Sequence, residues 1–346
     1  MKYHPLGRTG ILVSEVCFGC MTFGGRGFWT GIGMTPQDQA DEQIRRAWDA
    51  GVNFFDTANI YSEGLSEEMT GAAVRKLGLR RAELFLATKV RGRMGPGANE
   101  TGLSRGHILQ SVDDSLRRLG FDHIDLLYIH GLDPLTDFED TMRALDMVVR
   151  SGKVRYIGAC NIPAWQIMKA NGIAERHGWP KFDVLQYYYS LTCRDLELDI
   201  IPMAMEERMA VVPWSPLAGG LLSGKYRRGV TQAGNSRRDK YDFPPTDMEK
   251  AYGILDVLLP IAERHGVSGA QVALAWIKQK PGITSTIIGV KTVEQLEDNL
   301  GGFTRLNLSE GELGELDRVS APPLPYPHWM VRVQNQDRFP GIHGIP

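Results

Sequence analysis

The sequence predicts a (β/α)8 TIM barrel with an N-terminal β-hairpin and long loops at its C-terminal face. Two observations lead there. Short, continuously apolar runs alternate with longer amphipathic, charged stretches, and their number matches eight strand–helix units. Strands of that kind, separated by helices, pair in parallel through right-handed crossovers. A third observation counts against an open doubly wound sheet: no glycine fingerprint follows an early strand.

The runs lie at 13–19 (VSEVCFG), 52–56 (VNFFD), 84–89 (LFLATK), 124–130 (IDLLYIH), 154–160 (VRYIGAC), 182–187 (FDVLQY), 209–214 (MAVVPW) and 284–289 (TSTIIG). Helical patterns cover 37–50, 63–77, 104–119, 137–150, 163–177, 195–208, 249–265, 268–280 and 292–299. Ser104 and Thr292 stand where N-caps belong, and Gly51, Gly78, Gly120 and Gly152 follow helices as stops. Segment 3–14 turns around Gly7 and Gly10, which predicts a hairpin plugging the bottom of the barrel. Two connections are long, 19–36 and 215–248, and such loops at the C-terminal ends of barrel strands build active sites. With no linker or strong repeat, residues 1–346 read as one domain, of which 321–346 form an irregular tail rich in proline and aromatic residues.

The 346 residues are 42% hydrophobic, enough for a large core, and their net charge of -2 mixes both signs along the chain. That pattern argues against a nucleic-acid footprint. No apolar run is long enough for a membrane span, and MKYHPLGRTG lacks the apolar stretch of a secretory signal. The expectation is a cytoplasmic protein. Cys17 and Cys20 share a strand at an odd spacing, so their side chains point to opposite faces. They read as small core residues of a reducing compartment. The histidines show no metal spacing, and no metal is expected.

Four residues carry chemistry. Asp56, Lys89 and His130 end the second, third and fourth predicted strands, and Tyr61 follows Asp56 in DTANIY. In a barrel these positions converge on one mouth. A carbonyl oxygen receiving a hydride needs a proton, and a free phenol with a pKa of about 10 is a slow donor near neutrality. Lys89 stabilises phenolate, Asp56 holds Lys89 charged, and His130 orients the carbonyl and stabilises its developing charge. Taken singly, Asp56 and Lys89 could be only a buried ion pair, Tyr61 a pocket wall and His130 a core histidine. Four polar groups at successive strand ends favour the catalytic reading.

On these residues and on longer motifs the chain resembles the aldo-keto reductase superfamily. The motifs are NFFDTANIYSEGLSEE (53–68), LATKV (86–90), SLRRLGFDHIDLLYIHGLD (115–133), GKVRYIGACN (152–161), LQYYYS (185–190), VPWSPLAGGLLSGKY (212–226) and IIGVKTVEQLEDN (287–299). The resemblance implies a nicotinamide cofactor, NADPH rather than NADH, and Tyr61 as proton donor assisted by Asp56, Lys89 and His130. It also implies cofactor contacts. Asn161 and Gln186 hold the carboxamide, and Trp214 stacks on the nicotinamide ring. Ser215, Leu217 and Gly219 face the pyrophosphate, with Met21 and Asp56 also at the cofactor. Lys225 and Arg237 belong to a loop that folds over it. Gly289, Lys291 and Thr292 lie near the adenosine ribose, and Gln295, Asp298 and Asn299 share a helix face toward adenine and its phosphate. Lys291 in place of the family's frequent Arg still offers a positive charge to a 2′-phosphate.

A basic cluster, Arg227, Arg228, Arg237, Arg238 and Lys240, reads equally as a solvated loop or as help with phosphates. Loop aromatics should wall the pocket: Phe23, Phe28, Trp29, Tyr241, Phe243, Tyr326 and Trp329, with Trp29 the first choice for substrate contact beside Tyr61 and His130. The expected substrate is a small, apolar or ring-containing carbonyl or alcohol. The rival reading is a cofactor-sensing subunit with little turnover. Isomerisation of phosphosugars, a third chemistry open to barrels, lacks paired carboxylates and metal ligands here.

Overall fold

The computed structural model of the protein describes residues 1–230, 238 and 241–338. Strands β1 (Tyr3–Pro5) and β2 (Leu12–Ser14) form the antiparallel hairpin, with Tyr3 opposite Ser14. Eight further strands follow among the described residues: β3 (Val16–Gly19), β4 (Phe54–Asp56), β5 (Phe85–Val90), β6 (Ile124–Ile129), β7 (Val154–Cys160), β8 (Val184–Tyr188), β9 (Ala210–Trp214) and β10 (Thr286–Ile288). Each falls on one of the predicted runs, with β5 and β8 extending one residue beyond theirs. They form one parallel sheet in the order β10-β3-β4-β5-β6-β7-β8-β9. The circle closes through a bridge between Val211 and Ile283, where the Thr284 N–H donates to the Val211 carbonyl at 2.9 Å.

Strand alternation sorts the side chains. Cys17, Phe54, Phe85, Leu126, Tyr128, Cys160, Val184 and Val212 fill the barrel interior, where Leu6 and Val13 of the hairpin join them. Phe18, Cys20, Phe55, Leu86, Leu127 and Ile129 face the helices. Cys17 and Cys20 thus do lie on opposite faces, both buried. The hairpin plugs the end where β8 and β9 begin. Its Gly7 has φ 57 and packs so tightly that a Cβ would come within 2.9 Å of the Arg208 carbonyl.

The helices are α1 (Gln37–Asp49), α2 (Leu65–Lys76), α3 (Arg105–Leu119), α4 (Phe138–Arg150), α5 (Ala164–His177), α6 (Ile200–Glu206), α7 (Met248–His265), α8 (Gly269–Lys278), α9 (Val293–Thr304), α10 (Glu310–Ser320) and α11 (His328–Arg338). Ser104 caps α3 and Thr292 caps α9, each accepting from a backbone N–H three residues on.

Four departures from the sequence reading have physical causes. The helix predicted over 195–208 splits into a 3-10 turn at Asp195–Glu197 and α6. Pro202 has no N–H to give to residue 198, so it fits only in a first turn. Helix α9 runs on past Gly301 and Gly302, which bring it against α8: a Cβ on Gly302 would meet the Gln271 carbonyl at 2.9 Å. Helix α10 was not predicted, although its capping box, Ser309 with Glu312, is legible in the sequence. The tail is not irregular throughout. Four of its prolines, Pro322, Pro323, Pro325 and Pro327, precede His328, and the proline-free stretch 328–338 forms α11. No helix among the described residues is long and apolar enough to cross a membrane.

Candidate active site

The site is built where β4 ends. The Thr57 N–H donates to the Ala87 carbonyl at 2.9 Å and the Asn59 N–H to that of Lys89 at 3.2 Å, which carries the chain one turn above the sheet. Tyr61 opens a tight turn in which Ser62 (φ 49), Glu63 (φ 57) and Gly64 (φ 93) are all left-handed. Ser62 and Glu63 carry side chains, so this backbone is strained by roughly 1–3 kcal/mol each. Two sets of contacts hold it. Ser62 Oγ donates to the Phe23 carbonyl at 2.8 Å and accepts from the Gly25 N–H at 3.0 Å. Glu67, fully buried at the start of α2, accepts from Thr88 Oγ1 at 2.5 Å and from Arg118 Nε at 2.6 Å. Thr88 is the residue before Lys89, so the carboxylate ties the Tyr61 turn to the strand that carries the ammonium. Glu67→Gln leaves Arg118 without its counter-charge and is expected to cost about 3 kcal/mol, read from the midpoint of urea unfolding.

Lys89 is completely buried, and its three ammonium protons have three acceptors. They are Asp56 Oδ1, the Thr57 carbonyl at 2.7 Å and the Tyr61 hydroxyl at 3.2 Å. Burial opposes the charge on Lys89, but Asp56 and Tyr61 outweigh it and its pKa lies above the usual amine range. Burial raises Asp56, against the pull of Lys89 and of Gln186, whose Nε2 donates to Asp56 Oδ2 at 2.9 Å. Tyr61 departs from expectation: burial raises its pKa above the ordinary phenol, although Lys89 pulls the other way. Burial, then Lys89 and Arg91, push His130 well below the ordinary imidazole. Its ring stands neutral, 5.8 Å from that of Tyr61. Trp29 lies edge-on to Tyr61 at 5.1 Å.

Asp56, Tyr61, Lys89 and His130 are therefore brought together. The residues expected at the cofactor lie around the ends of β3 and β7 to β10. Met21 sits half-buried in the turn after β3. Asn161 follows β7 with φ 55, and its Oδ1 accepts from Trp214 Nε1 at 3.2 Å. The Trp214 ring stacks with Tyr188 at 5.0 Å and with Phe243 at 5.7 Å. After β9, Ser215, Ala218, Gly219 and Gly220 all have positive φ, which makes a tight backbone turn. The Gly219 N–H is spent on Ser215 Oγ at 3.1 Å, whereas the Leu217 N–H has no partner among the described residues. Lys225 is exposed nearby. Beyond β10, Gly289, Lys291 and Thr292 are exposed, and the Lys291 N–H donates to Gln295 Oε1 at 2.9 Å.

Other positions are committed elsewhere. Both Asp298 oxygens accept within the fold, from Ser268 Oγ and Gln271 Nε2, each at 2.7 Å, and Asn299 is buried. Arg237 and Lys240 lie outside the described residues. Arg228 pairs with Glu249 at 2.8 Å, and Arg238 is held by the Pro244 carbonyl and Asp242. Among the proposed pocket aromatics, Phe23 is a core residue against Phe18. Phe28 contacts both Trp29 and Tyr241, so the first and seventh loops meet over the site. Tyr326 and Trp329 contact each other on the tail. Sequence reasoning passed over Ser62, Thr88, Glu67 and Arg118, which position the turn, and Arg91, whose only signal was its place two residues after Lys89.

The model of the Aldo/keto reductase family matches residues 15–321. A "putative aryl-alcohol dehydrogenase" of Schizosaccharomyces pombe is 36% identical over 92% of this chain and 96% of its own length. The versiconal hemiacetal acetate reductase of Aspergillus parasiticus is 35% identical over 94% of this chain and 99% of its own. A "probable voltage-gated potassium channel subunit beta" of Arabidopsis thaliana is 35% identical over 87% of this chain and 90% of its own. A barrel of this order, with matches of this length, leaves one conclusion: the chain belongs to the aldo/keto reductase family.

Proposed function

We propose that this protein is an NADPH-dependent reductase of aldehydes or ketones that also oxidises the corresponding alcohols, with Tyr61 as the proton donor and acceptor. The observation that carries the reading is the Lys89 ammonium, its protons divided among Asp56, the Thr57 carbonyl and the Tyr61 hydroxyl. The residues around it fit a nicotinamide. Asn161 spends its oxygen on Trp214 and keeps its amide protons, whereas Gln186 spends an amide proton on Asp56 and keeps its oxygen. Together they offer a donor and an acceptor, the complement of a primary carboxamide. A nicotinamide reaching Trp214 competes with Phe243 for stacking on that indole. The Leu217 N–H and the left-handed turn around it suit phosphate oxygens, and Lys291 supplies charge for a 2′-phosphate. Such a dinucleotide, when bound, supplies the hydride.

The protein's own part is proton handling. The neutral His130 ring donates to the substrate oxygen and fixes its direction. Tyr61 Oη passes its proton to that oxygen as negative charge develops there. The phenolate left behind is held by Lys89, which Asp56 keeps charged. Trp29 edges the space above Tyr61 with an apolar ring, which suits ring-containing substrates.

The test is NADPH consumption with a panel of carbonyl compounds. Turnover of at least one aldehyde is expected. Tight NADPH binding with no consumption would favour the cofactor-sensing reading. A pH profile follows from the raised Tyr61. Reduction uses the protonated phenol, which is the form present below its pKa. The reduction kcat should stay flat from about pH 6 to about 9, while alcohol oxidation, which needs the deprotonated form, rises with pH. A reduction rate that falls steeply below pH 8 would contradict this.

A further inference from the structure

We propose that Arg91 binds a carboxylate on the substrate, so that this protein prefers aldehydes bearing an anionic group to their neutral counterparts. The inference rests on the reductase reading and adds to it the charge of the substrate.

The ladder between β5 and β6 ends at Val90 opposite Ile129, and the His130 N–H donates to the Val90 carbonyl at 2.9 Å. The next residues across the two strands are therefore Arg91 and His130. Strand alternation places Arg91 on the face that carries Lys89. There the backbone leaves the strand with φ 154, a conformation that residues with side chains rarely adopt. The Arg91 carbonyl is held in that turn by the Gly102 N–H at 2.9 Å and by Thr101 Oγ1 at 3.3 Å. Gly131, the residue after His130, lies alongside, and a Cβ there would be 3.5 Å from Arg91 Cδ. Arg91 Nε donates to the Leu132 carbonyl at 2.9 Å, which fixes the stem.

Only the stem is engaged. Among the described residues the two Nη groups of Arg91 make no hydrogen bond and no ion pair, and the side chain is exposed. Arg93, two residues on, differs: it donates to the Gly95 and Gly97 carbonyls. Asp133, on the adjoining loop, feels the Arg91 charge but makes no ion pair with it, and its oxygens accept from the Leu103 N–H, the Leu135 N–H and the Thr136 hydroxyl. A planar cation with free N–H groups is thus anchored beside His130 at the rim of the site. Its donor geometry matches a carboxylate. The candidate dinucleotide contacts gather around the ends of β3 and β7 to β10. Arg91 follows the end of β5, beside His130 and away from those strand ends, which assigns its anion to the substrate and not to the dinucleotide. Its charge already reaches the site, since it acts with burial and Lys89 to keep His130 neutral.

The test compares 4-carboxybenzaldehyde with benzaldehyde as substrates of the full chain with NADPH. The ratio of kcat/KM, charged over neutral, should exceed one in the wild type and decline as ionic strength rises. It should fall by about tenfold in Arg91→Gln, further in Arg91→Glu, and less in Arg91→Lys. A ratio unchanged across these variants overturns the proposal. Calorimetric titration of 4-(hydroxymethyl)benzoate and benzyl alcohol into the NADP⁺-loaded protein asks the same question without turnover. Selective binding of the benzoate that is lost in Arg91→Gln supports the role of Arg91 even where benzaldehyde is not reduced, an outcome that would sink only the reductase reading. Equal affinities for both ligands overturn the proposal.

Discussion

Tyr61→Phe is expected to lower kcat for carbonyl reduction by about a thousandfold while NADPH still binds. The substitution removes one oxygen and keeps the ring. The contacts of that ring with Trp29 at 5.1 Å and His130 at 5.8 Å remain, so the pocket wall keeps its shape. Lost are the proton and the hydroxyl that accepts from Lys89 at 3.2 Å. The ammonium keeps Asp56 and the Thr57 carbonyl, and stability should change little. Single-turnover reduction, with NADPH affinity followed by fluorescence, separates the two effects. Wild-type turnover in this variant would remove Tyr61 from the chemistry.

Lys89→Met should be more damaging, because it strikes activity and folding together. Asp56 would lose its counter-charge with only 4% of its side chain exposed, and among the described residues Gln186 Nε2 would be its one remaining side-chain donor. Breaking a buried pair by removing one partner costs about 3–5 kcal/mol. Turnover should also vanish, since a phenolate at Tyr61 would have no counter-charge. Asp56→Asn in the same chain separates these losses. The amide needs no counter-ion, so the double variant should recover most of the stability but none of the turnover. Urea unfolding and kcat, measured on both variants, decide it. Recovery of turnover in the double variant would show that Lys89 acts only as a structural partner of Asp56.

Much of this molecule was legible beforehand. The eight apolar runs located the strands because continuous hydrophobicity over four to eight residues is what a strand buried on both faces requires. The convergence of Asp56, Lys89 and His130 followed from that alone, since strand ends of a parallel barrel share one mouth. The odd spacing of Cys17 and Cys20 sorted them correctly to opposite faces. Segment boundaries were harder to read. Pro202 and the Gly301–Gly302 pair act through a neighbour or a missing donor, and periodicity is blind to both. Phe23 was offered as a pocket wall because it stands in a loop, yet that loop folds back and buries it against Phe18.

By itself the sequence determined the barrel, its plug and the residue types at the mouth, because hydrophobic periodicity and strand direction are local properties of the chain. Tertiary structure decided how those groups are charged and aimed. Burial, which no residue carries in its own identity, raises the Tyr61 phenol despite Lys89 and keeps His130 neutral. The clamp of Glu67 on Arg118 and Thr88, and the open guanidinium of Arg91, depend on side chains brought together from different elements. A pattern read along the chain contains no such distances.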